Sequence, residues 1–374
     1  LLKNKLEGIG WFTHESLKRM VLAHPEHQFI FLFDRAYDPE FIFAANVKPV
    51  VVFPQARHPL LYIIWFEMML PRILRKYKVD VFVSTDGFVS LRSKIPSIAV
   101  VHDLNFEHYP QHLPSLVLKY LKFFMPRFAR HAGRIVTVSE YSKKDIERQY
   151  KIESSKIDVA YNGVNESYSP MDEETQSQVR NELTGGQPYF YFVGALHPRK
   201  NLEGLFKAFD LYKMKQPNNT KLVVVGNKMW WTPSIKERYE QMKYRDSVVF
   251  LGHQSPERLN QIVASGIALV YVSYFEGFGI PIVEAFKAQT AVITSNVTSM
   301  PEVAGDAALL VDPSQPQQIA EAMFLIENDV QLREQLISKG LERVKNFSWD
   351  TTSQILWNSI EKLHQQVSKA PERP

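Results

Sequence analysis

Two short stretches concentrate the residue types that could do chemistry. One is Tyr274-Phe275-Glu276-Gly277-Phe278-Gly279-Ile280-Pro281, which follows an apolar run ending at Ser273 and leads into the helical pattern Ile282-Val283-Glu284-Ala285-Phe286. Pro281 suits a first helical turn, because the N–H it lacks has no partner there. The glycines therefore sit just ahead of a helix N-terminus, where free amides, the positive end of the dipole and a backbone without Cβ atoms favour an approaching anion. Phosphate is the anion that fits. Glu276 and Glu284 would repel phosphate and suit hydroxyl groups, which carboxylates accept well. An anion with several hydroxyls describes a sugar phosphate. Alone, the stretch reads equally well as an ordinary strand-to-helix turn in which Glu284 complements the dipole.

The second stretch is Gly194-Ala195-Leu196-His197-Pro198-Arg199-Lys200-Asn201, between the apolar run Tyr189–Val193 and an amphipathic helix that starts near Leu202. Asn201 can serve as its N-cap, which brings Arg199 and Lys200 to a second helix N-terminus. Two cations beside a positive dipole end are unfavourable without an anion. As surface charges they would simply be solvated; with the glycine loop of the same half, a diphosphate between two strand ends accounts for both features. Ligands of open parallel sheets bind beyond the carboxyl ends of the strands.

The elements that must carry these loops are legible as apolar runs between helical patterns. In the first half they are Phe29–Phe33, Val50–Phe53, Val79–Ser84, Ile98–His102 and Ile135–Ser139. In the second they are Tyr189–Val193, Leu222–Val225, Val248–Leu251, Ala268–Ser273 and Ala291–Thr294. Such β-branched and aromatic runs read as buried parallel strands. The intervening helices have the right period, as Leu202, Leu205, Phe206 and Phe209 show. The 374 residues suggest two domains, both α/β with doubly wound parallel sheets. The division predicted is 1–166 and 167–349, with a linker near 163–170. Residues 350–374, in a last helix from Trp349 to about Val367, are expected to complete the N-terminal domain.

Composition narrows the function. A net charge of +4 over 44 basic and 40 acidic residues is too balanced for a dedicated nucleic-acid binder, so no nucleic-acid partner is expected. With no cysteine there is no disulfide framework or thiolate metal site, and no Asp-x-Asp pair falls at a convincing cleft position; no metal and no resident cofactor are expected. The most apolar stretch, Pro59 to Leu74, is interrupted by Glu67, Pro71 and Arg72 and is too short for a membrane span. From Leu118 to Arg134, the cations Lys119, Lys122, Arg127, Arg130, His131 and Arg134 alternate with Tyr120, Phe123, Phe124 and Phe128. That pattern reads either as a face for an anionic membrane surface or as a helix that buries its aromatics and solvates its charges. The expected location is cytoplasmic, with peripheral contact to the inner face of the cell membrane.

Val193–Asn201 together with Glu276–Phe286 resembles the donor domain of the retaining glycosyltransferases of family 4, which have the GT-B fold. The similarity extends to Asn296–Pro313, Val138-Ser139-Glu140-Tyr141-Ser142, Tyr161-Asn162-Gly163-Val164 and Phe347-Ser348-Trp349. The resemblance implies two Rossmann-like domains facing across a cleft and metal-independent transfer of a hexose from a nucleoside diphosphate sugar, the donor substrate. The acceptor would be a saccharide or a lipid-linked one, in cell-surface polysaccharide or lipopolysaccharide synthesis. It implies that Arg199 and Lys200 hold the donor diphosphate, that Glu276 contacts the transferred sugar and that Glu284 holds the ribose. Gly194 and the backbone of Gly277, Phe278, Gly279 and Ile280 would assist. Where the family often has arginine after the first glycine, this chain has Ala195, which shifts the phosphate clamp onto Arg199. Val101-His102-Asp103-Leu104 is similar to the acceptor-side histidine motif, which would turn His102 toward the donor sugar; a purely structural histidine, with Asp103 capping the next loop, is the alternative. Gly8-Ile9-Gly10 resembles the first glycine loop, although no strand is recognisable before it in Leu1–Glu7. Two other functions remain open on this scaffold: sugar-nucleotide epimerisation, which needs no acceptor, and non-catalytic sugar-nucleotide binding.

Overall fold

Twelve short strands, all paired in parallel, form the sheets of a computed structural model that describes residue 6 and residues 8–56, 58–227 and 231–369. The expectation for Leu1–Glu7 therefore falls almost wholly outside the described residues. The chain divides into a unit made of Leu1–Gly163 with Ser348–Pro374 and a unit made of Val164–Phe347.

In the C-terminal unit the strands are β7 (Tyr189–Val193), β8 (Lys221–Val225), β9 (Val248–Gly252), β10 (Ala268–Tyr271), β11 (Ala291–Ser295) and β12 (Leu309–Val311), in the spatial order β12-β11-β10-β7-β8-β9. The chain builds outward from β7 through β8 to β9, then returns to the other side of β7 to lay down β10, β11 and β12. The order therefore reverses between β7 and β10, and at such a point the loops leaving the two carboxyl ends diverge and open a crevice. Tyr189, Phe190, Tyr191 and Phe192 in β7 are fully buried, as expected of a central strand with helices on both faces. Gly226, at the end of β8, has φ +149°, and a Cβ there would lie 1.9 Å from the Gly194 carbonyl oxygen. Only glycine lets the ends of β7 and β8 approach this closely.

The N-terminal unit contains β1 (Phe29–Phe33) with β2 (Val47–Val51), and a second sheet of β3 (Phe82–Ser84), β4 (Ser97–Val101), β5 (Arg134–Thr137) and β6 (Ile157–Val159) in that order. The sequence places the second strand at Val50–Phe53, after Pro49; it begins earlier because β2 is at an edge, where proline's missing N–H costs no ladder bond. β1 and the segment around β3 line a cavity of about 920 Å³. The last helix, Trp349–Ser368, packs in this unit against the first helix, Gly8–Ala23: Arg19 Nε lies 2.7 Å from Asp350, the Ser353 hydroxyl donates to the Ser16 carbonyl at 3.0 Å, and His24 stacks on Trp357 at 3.7 Å.

Two sequence expectations change here. Gly8 and Gly10 lie in the first turn of helix Gly8–Ala23, not in a loop; the leading amides of a helix have no intrahelical partner, so flexible residues cost little there. The basic and aromatic segment is the helix Ser115–His131, which ends before Arg134. Arg134 starts β5 and is buried against Asp158, with its Nε at 2.9 Å, because a charge at the start of a buried strand needs a partner. Tyr120 and Phe128 are also buried, while Lys119, Lys122, Phe123, Arg127, Arg130 and His131 remain exposed. Among the described residues no helix is long and apolar enough to cross a membrane.

Candidate functional site

Everything that the sequence singled out in the C-terminal unit gathers at the reversal between β7 and β10. After β7, Gly194 turns the chain into a 3-10 turn, Pro198–Lys200, which runs straight into helix Leu202–Lys215. The hinge is Asn201, whose backbone is left-handed (φ 58°, ψ 41°). Its side-chain oxygen accepts from the Gly204 amide at 3.1 Å, and its amide nitrogen donates to the carbonyls of Val272 at 3.1 Å and Pro313 at 2.6 Å. One residue thus caps the helix and ties this loop to the end of β10.

After β10, the Tyr274 amide donates to the Arg199 carbonyl at 2.8 Å, so the two loops run side by side. Gly279 stands at the N-cap of helix Ile280–Lys287 with φ +108° and ψ 54°, a conformation that a side chain would strain. The loop is held from the far side by Thr298 and Ser299: Thr298 accepts from the Glu276 amide at 3.3 Å, and the Ser299 hydroxyl lies 2.9 Å from both the Glu276 and Phe278 carbonyls. Phe278 is buried edge-on against Phe347. Gly277 to Ile280 are in this way fixed around the start of a helix.

Between the loops lies a charge cluster. Arg199 reaches Glu276 at 2.8 Å and the Phe275 carbonyl at 3.0 Å; Lys200 reaches Glu276 at 2.6 Å and is hydrogen-bonded to the Tyr271 hydroxyl, on whose ring it also sits. Lys200 and Glu276 are both buried. Burial would raise the Glu276 pKa, but Arg199 and Lys200 outweigh it and hold the carboxyl at about 2. The two cations that on sequence called for an anion thus have one in the protein itself. The cluster can exchange partners: a bound anion would draw on Arg199 and Lys200, and Glu276 would be released toward hydroxyl groups.

Glu284 lies one turn into helix Ile280–Lys287 and has a different environment. Burial pushes its pKa up to about 7, with the Tyr168 phenol acting in the opposite direction. The remaining predicted residues are in the N-terminal unit. His102 follows β4, with Nε2 2.9 Å from the Thr85 carbonyl and its ring edge-on to Phe12 of helix Gly8–Ala23 at 5.0 Å. A carbonyl only accepts, so Nε2 carries the proton and Nδ1 keeps the lone pair. Burial lowers the pKa of the ring, against Thr85, Asp103 and Asp86, which act to raise it. Asp103 caps the following turn through the Asn105 amide at 2.9 Å. Gly10 lies two residues before Phe12 and borders the N-terminal cavity, and Gly8 is exposed at the helix start.

Sequence reasoning missed Tyr168, Tyr271, Thr298 and Ser299. Thr298 and Ser299 fall inside a segment recognised by its resemblance, but isolated hydroxyls give no pattern; Tyr168 sits in a stretch that reads as linker, and Tyr271 as one more apolar strand residue.

Comparison with known proteins covers both units. A family described as Glycosyltransferase Family 4 matches residues 8–168, and one described as Glycosyl transferases group 1 matches residues 173–343. O-antigen chain mannosyltransferase B of Escherichia coli is 27% identical over 97% of this chain and 98% of its own length. O-antigen chain mannosyltransferase RfbU of Salmonella typhimurium is 28% identical over 80% of this chain and 79% of its own. Among solved structures, HepE of Anabaena in complex with UDP and glucose superposes with a TM-score of 0.75 at 16% identity, covering 96% of this chain and 98% of that one. WaaG, a glycosyltransferase involved in lipopolysaccharide biosynthesis, superposes with a TM-score of 0.72 at 16% identity, covering 98% and 97%. At such identities these two likenesses speak for the fold.

Proposed function

This chain belongs to the glycosyltransferases of family 4, with their GT-B fold, and from that premise we propose that it transfers a hexose from a nucleoside diphosphate sugar to a saccharide or lipid-linked acceptor, with retention of configuration and without a divalent metal, in cell-surface polysaccharide assembly. The observation that carries the reading is the Arg199–Glu276–Lys200 cluster at the reversal point of the C-terminal sheet. Breaking the bond between the anomeric carbon and the phosphate oxygen leaves the electron pair on the diphosphate. Arg199 and Lys200, with the start of helix Ile280–Lys287, stabilise that charge more in the transition state than before it. Glu276 then accepts from hydroxyls of the transferred sugar and Glu284 from those of the ribose. The names of the two O-antigen relatives support mannose as the first hexose to test.

The test is a thermal-shift screen of guanosine, uridine and adenosine diphosphate sugars, followed by nucleoside diphosphate release with and without a panel of saccharide acceptors, in chelator. Acceptor-dependent release in chelator is expected, with Lys200→Ala lowering it at least about 100-fold. Turnover without acceptor would point to epimerisation instead, and wild-type rates in Lys200→Ala and Glu276→Ala would remove the site assignment. The exposed side of helix Ser115–His131, with Leu116 and Phe123 among its cations, would place the enzyme on the inner face of the membrane. Vesicle co-sedimentation that ignores anionic lipid would exclude that placement.

A further inference from the structure

We infer that the outer ridge formed by Leu60, Ile64 and Met68 in the N-terminal unit is a membrane-inserting edge, which seats in the headgroup region of an anionic lipid bilayer beside helix Ser115–His131. The inference deepens the proposed membrane placement of that helix and rests on it.

The segment that carries the ridge is a short α-helix, Pro59–Ile64, a π-turn, Trp65–Met69, and a second α-helix, Leu70–Lys76. The wider π-turn lets three consecutive residues, Trp65, Phe66 and Glu67, face inward. Two of them are tied there. Trp65 Nε1 donates to the Val52 carbonyl at 3.0 Å, and Glu67 accepts from the amides of Leu91 at 3.0 Å and Arg92 at 3.1 Å. What remains outward is apolar. Leu60 is 63%, Ile64 37% and Met68 43% exposed, one at every fourth residue, and the row continues through the exposed Arg72 and Lys76. Three large apolar side chains in one row, left in water, mark an interaction surface rather than scattered exposure.

Its neighbours supply the charge. The inner sides of this segment and of helix Ser115–His131 meet through Tyr62 and Tyr120, whose rings are 5.6 Å apart. Loop 90–95 bridges the two, since Glu67 holds its start and His131 Nε2 lies 3.3 Å from the Ser93 carbonyl. Arg92 and Lys94 on that loop are exposed. Together, residues 59–76, 90–95 and 115–131 hold nine of the 44 basic residues of the chain and one of its 40 acidic ones, the buried Glu67. The rest of the chain is therefore net negative, and the positive charge belongs to this surface. Of the nine cations, only Lys122 is ion-paired among the described residues, to Glu107 at 3.9 Å. Arg72 instead donates to the Met68 carbonyl at 2.7 Å, and Arg127 stacks on the exposed Phe123 ring at 3.6 Å. Unneutralised cations bordering exposed apolar side chains complement an anionic bilayer, whose phosphates meet the cations while its acyl boundary takes the ridge. A second copy of this chain would bring the same nine cations to the contact and be repelled.

The chain has no cysteine, so Met68→Cys carries a single polarity-sensitive fluorophore, with Met214→Cys, 50% exposed in the C-terminal unit, as the reference. Both are measured with phosphatidylcholine vesicles, with and without phosphatidylglycerol, beside co-sedimentation of the wild-type chain and of the triple variant Leu60→Ser, Ile64→Ser, Met68→Ser. The expected result is a blue shift for Met68→Cys alone and with anionic vesicles alone. The triple variant should partition onto those vesicles at least about tenfold more weakly while keeping the wild-type thermal shift with nucleoside diphosphate; where it fails to fold, the fluorophore decides. Wild-type binding to anionic vesicles with no blue shift for Met68→Cys would overturn the role of the ridge and spare that of helix Ser115–His131. Indifference of the wild type to anionic lipid would remove the membrane placement and this inference with it. A dimer in sedimentation velocity that the triple variant abolishes, again without the blue shift, would assign the ridge to a second copy instead.

Discussion

Glu276 and Glu284 lie on the same loop and helix, yet their surroundings push them in opposite directions. At Glu276 the carboxylate neutralises Arg199 and Lys200, so on the proposed reading a diphosphate would have to compete with it. Replacing it by the neutral isostere should separate two effects. Glu276→Gln leaves Lys200 and Arg199 without their anion and is expected to destabilise the free protein by about 3 kcal/mol. It should also bind nucleoside diphosphate more tightly than the wild type while losing transfer activity. A thermal-shift titration would show a lower starting melting temperature and a larger ligand-induced rise; a smaller rise than in the wild type would refute the competition. Glu284 has the opposite sign. Its folded pKa of about 7 lies above the ordinary 4.5, so between those values the folded state binds the extra proton and stability falls as pH rises. Glu284→Gln removes that cost. Its stability should match the wild type near pH 5 and exceed it by about 2 kcal/mol at pH 8, as read from urea unfolding at the two pH values, at the expense of donor affinity. For Glu276, whose folded pKa is about 2, stability is complete above 4.5 and is lost as pH falls toward 2.

The loops depend on elements that were unevenly legible in the sequence. β7 and the helix Leu202–Lys215 stand out because a run of four aromatics and valine, then a 3.6-residue period, leave one solution each. β6 and β12 went unseen: with three residues each they have too little length for a pattern, and only pairing to β5 and β11 makes them strands. Arg134 shows the reverse error, since a basic residue that follows a basic helix looks like part of it until Asp158 is brought alongside. Asn201 was legible as an N-cap, but its two bonds to Val272 and Pro313 depend on contacts 71 and 112 residues away that no local spacing encodes. Those bonds lead to an ordering of variants. Asn201→Gly keeps the left-handed backbone and loses the side-chain bonds. Asn201→Asp keeps the cap and aims a carboxylate oxygen at two carbonyls in a buried place, 1% exposed. Asn201→Asp is therefore expected to be the less stable by at least about 1 kcal/mol, in denaturant midpoints measured at pH 7. Equal midpoints would mean that the cap outweighs the tie between the loops.

On the scale of the whole molecule, the N-terminal unit is discontinuous: its last helix, Trp349–Ser368, is made after the entire C-terminal unit. That helix buries Trp349, Leu356, Trp357 and Leu363. Leu363 seats so closely on Gly133 that a Cβ there would lie 2.4 Å from its Cδ1. Ser359 adds a hydrogen bond to Asp158 at 2.7 Å, on the carboxylate that also pairs with Arg134. Each large side chain contributes roughly 2 kcal/mol by burial, so the four together are comparable with the roughly 5–15 kcal/mol by which a domain is stable. The C-terminal unit, by contrast, closes its six-stranded sheet within Val164–Phe347 and holds Arg199, Lys200, Glu276 and Glu284. A chain ended at Phe347 is therefore expected to lose the N-terminal unit's cooperative transition while keeping the other. Calorimetry should show one melting transition in place of two, still raised by nucleoside diphosphate, and limited proteolysis should cut first before residue 163. Adding the helix back as a separate peptide should restore protection there, because the contacts it makes with Ser16, Arg19 and Asp158 need no covalent link. If the truncated chain kept both transitions, the strands of the N-terminal unit would have to be stable on their own, and the return of the chain to them would serve something other than their stability.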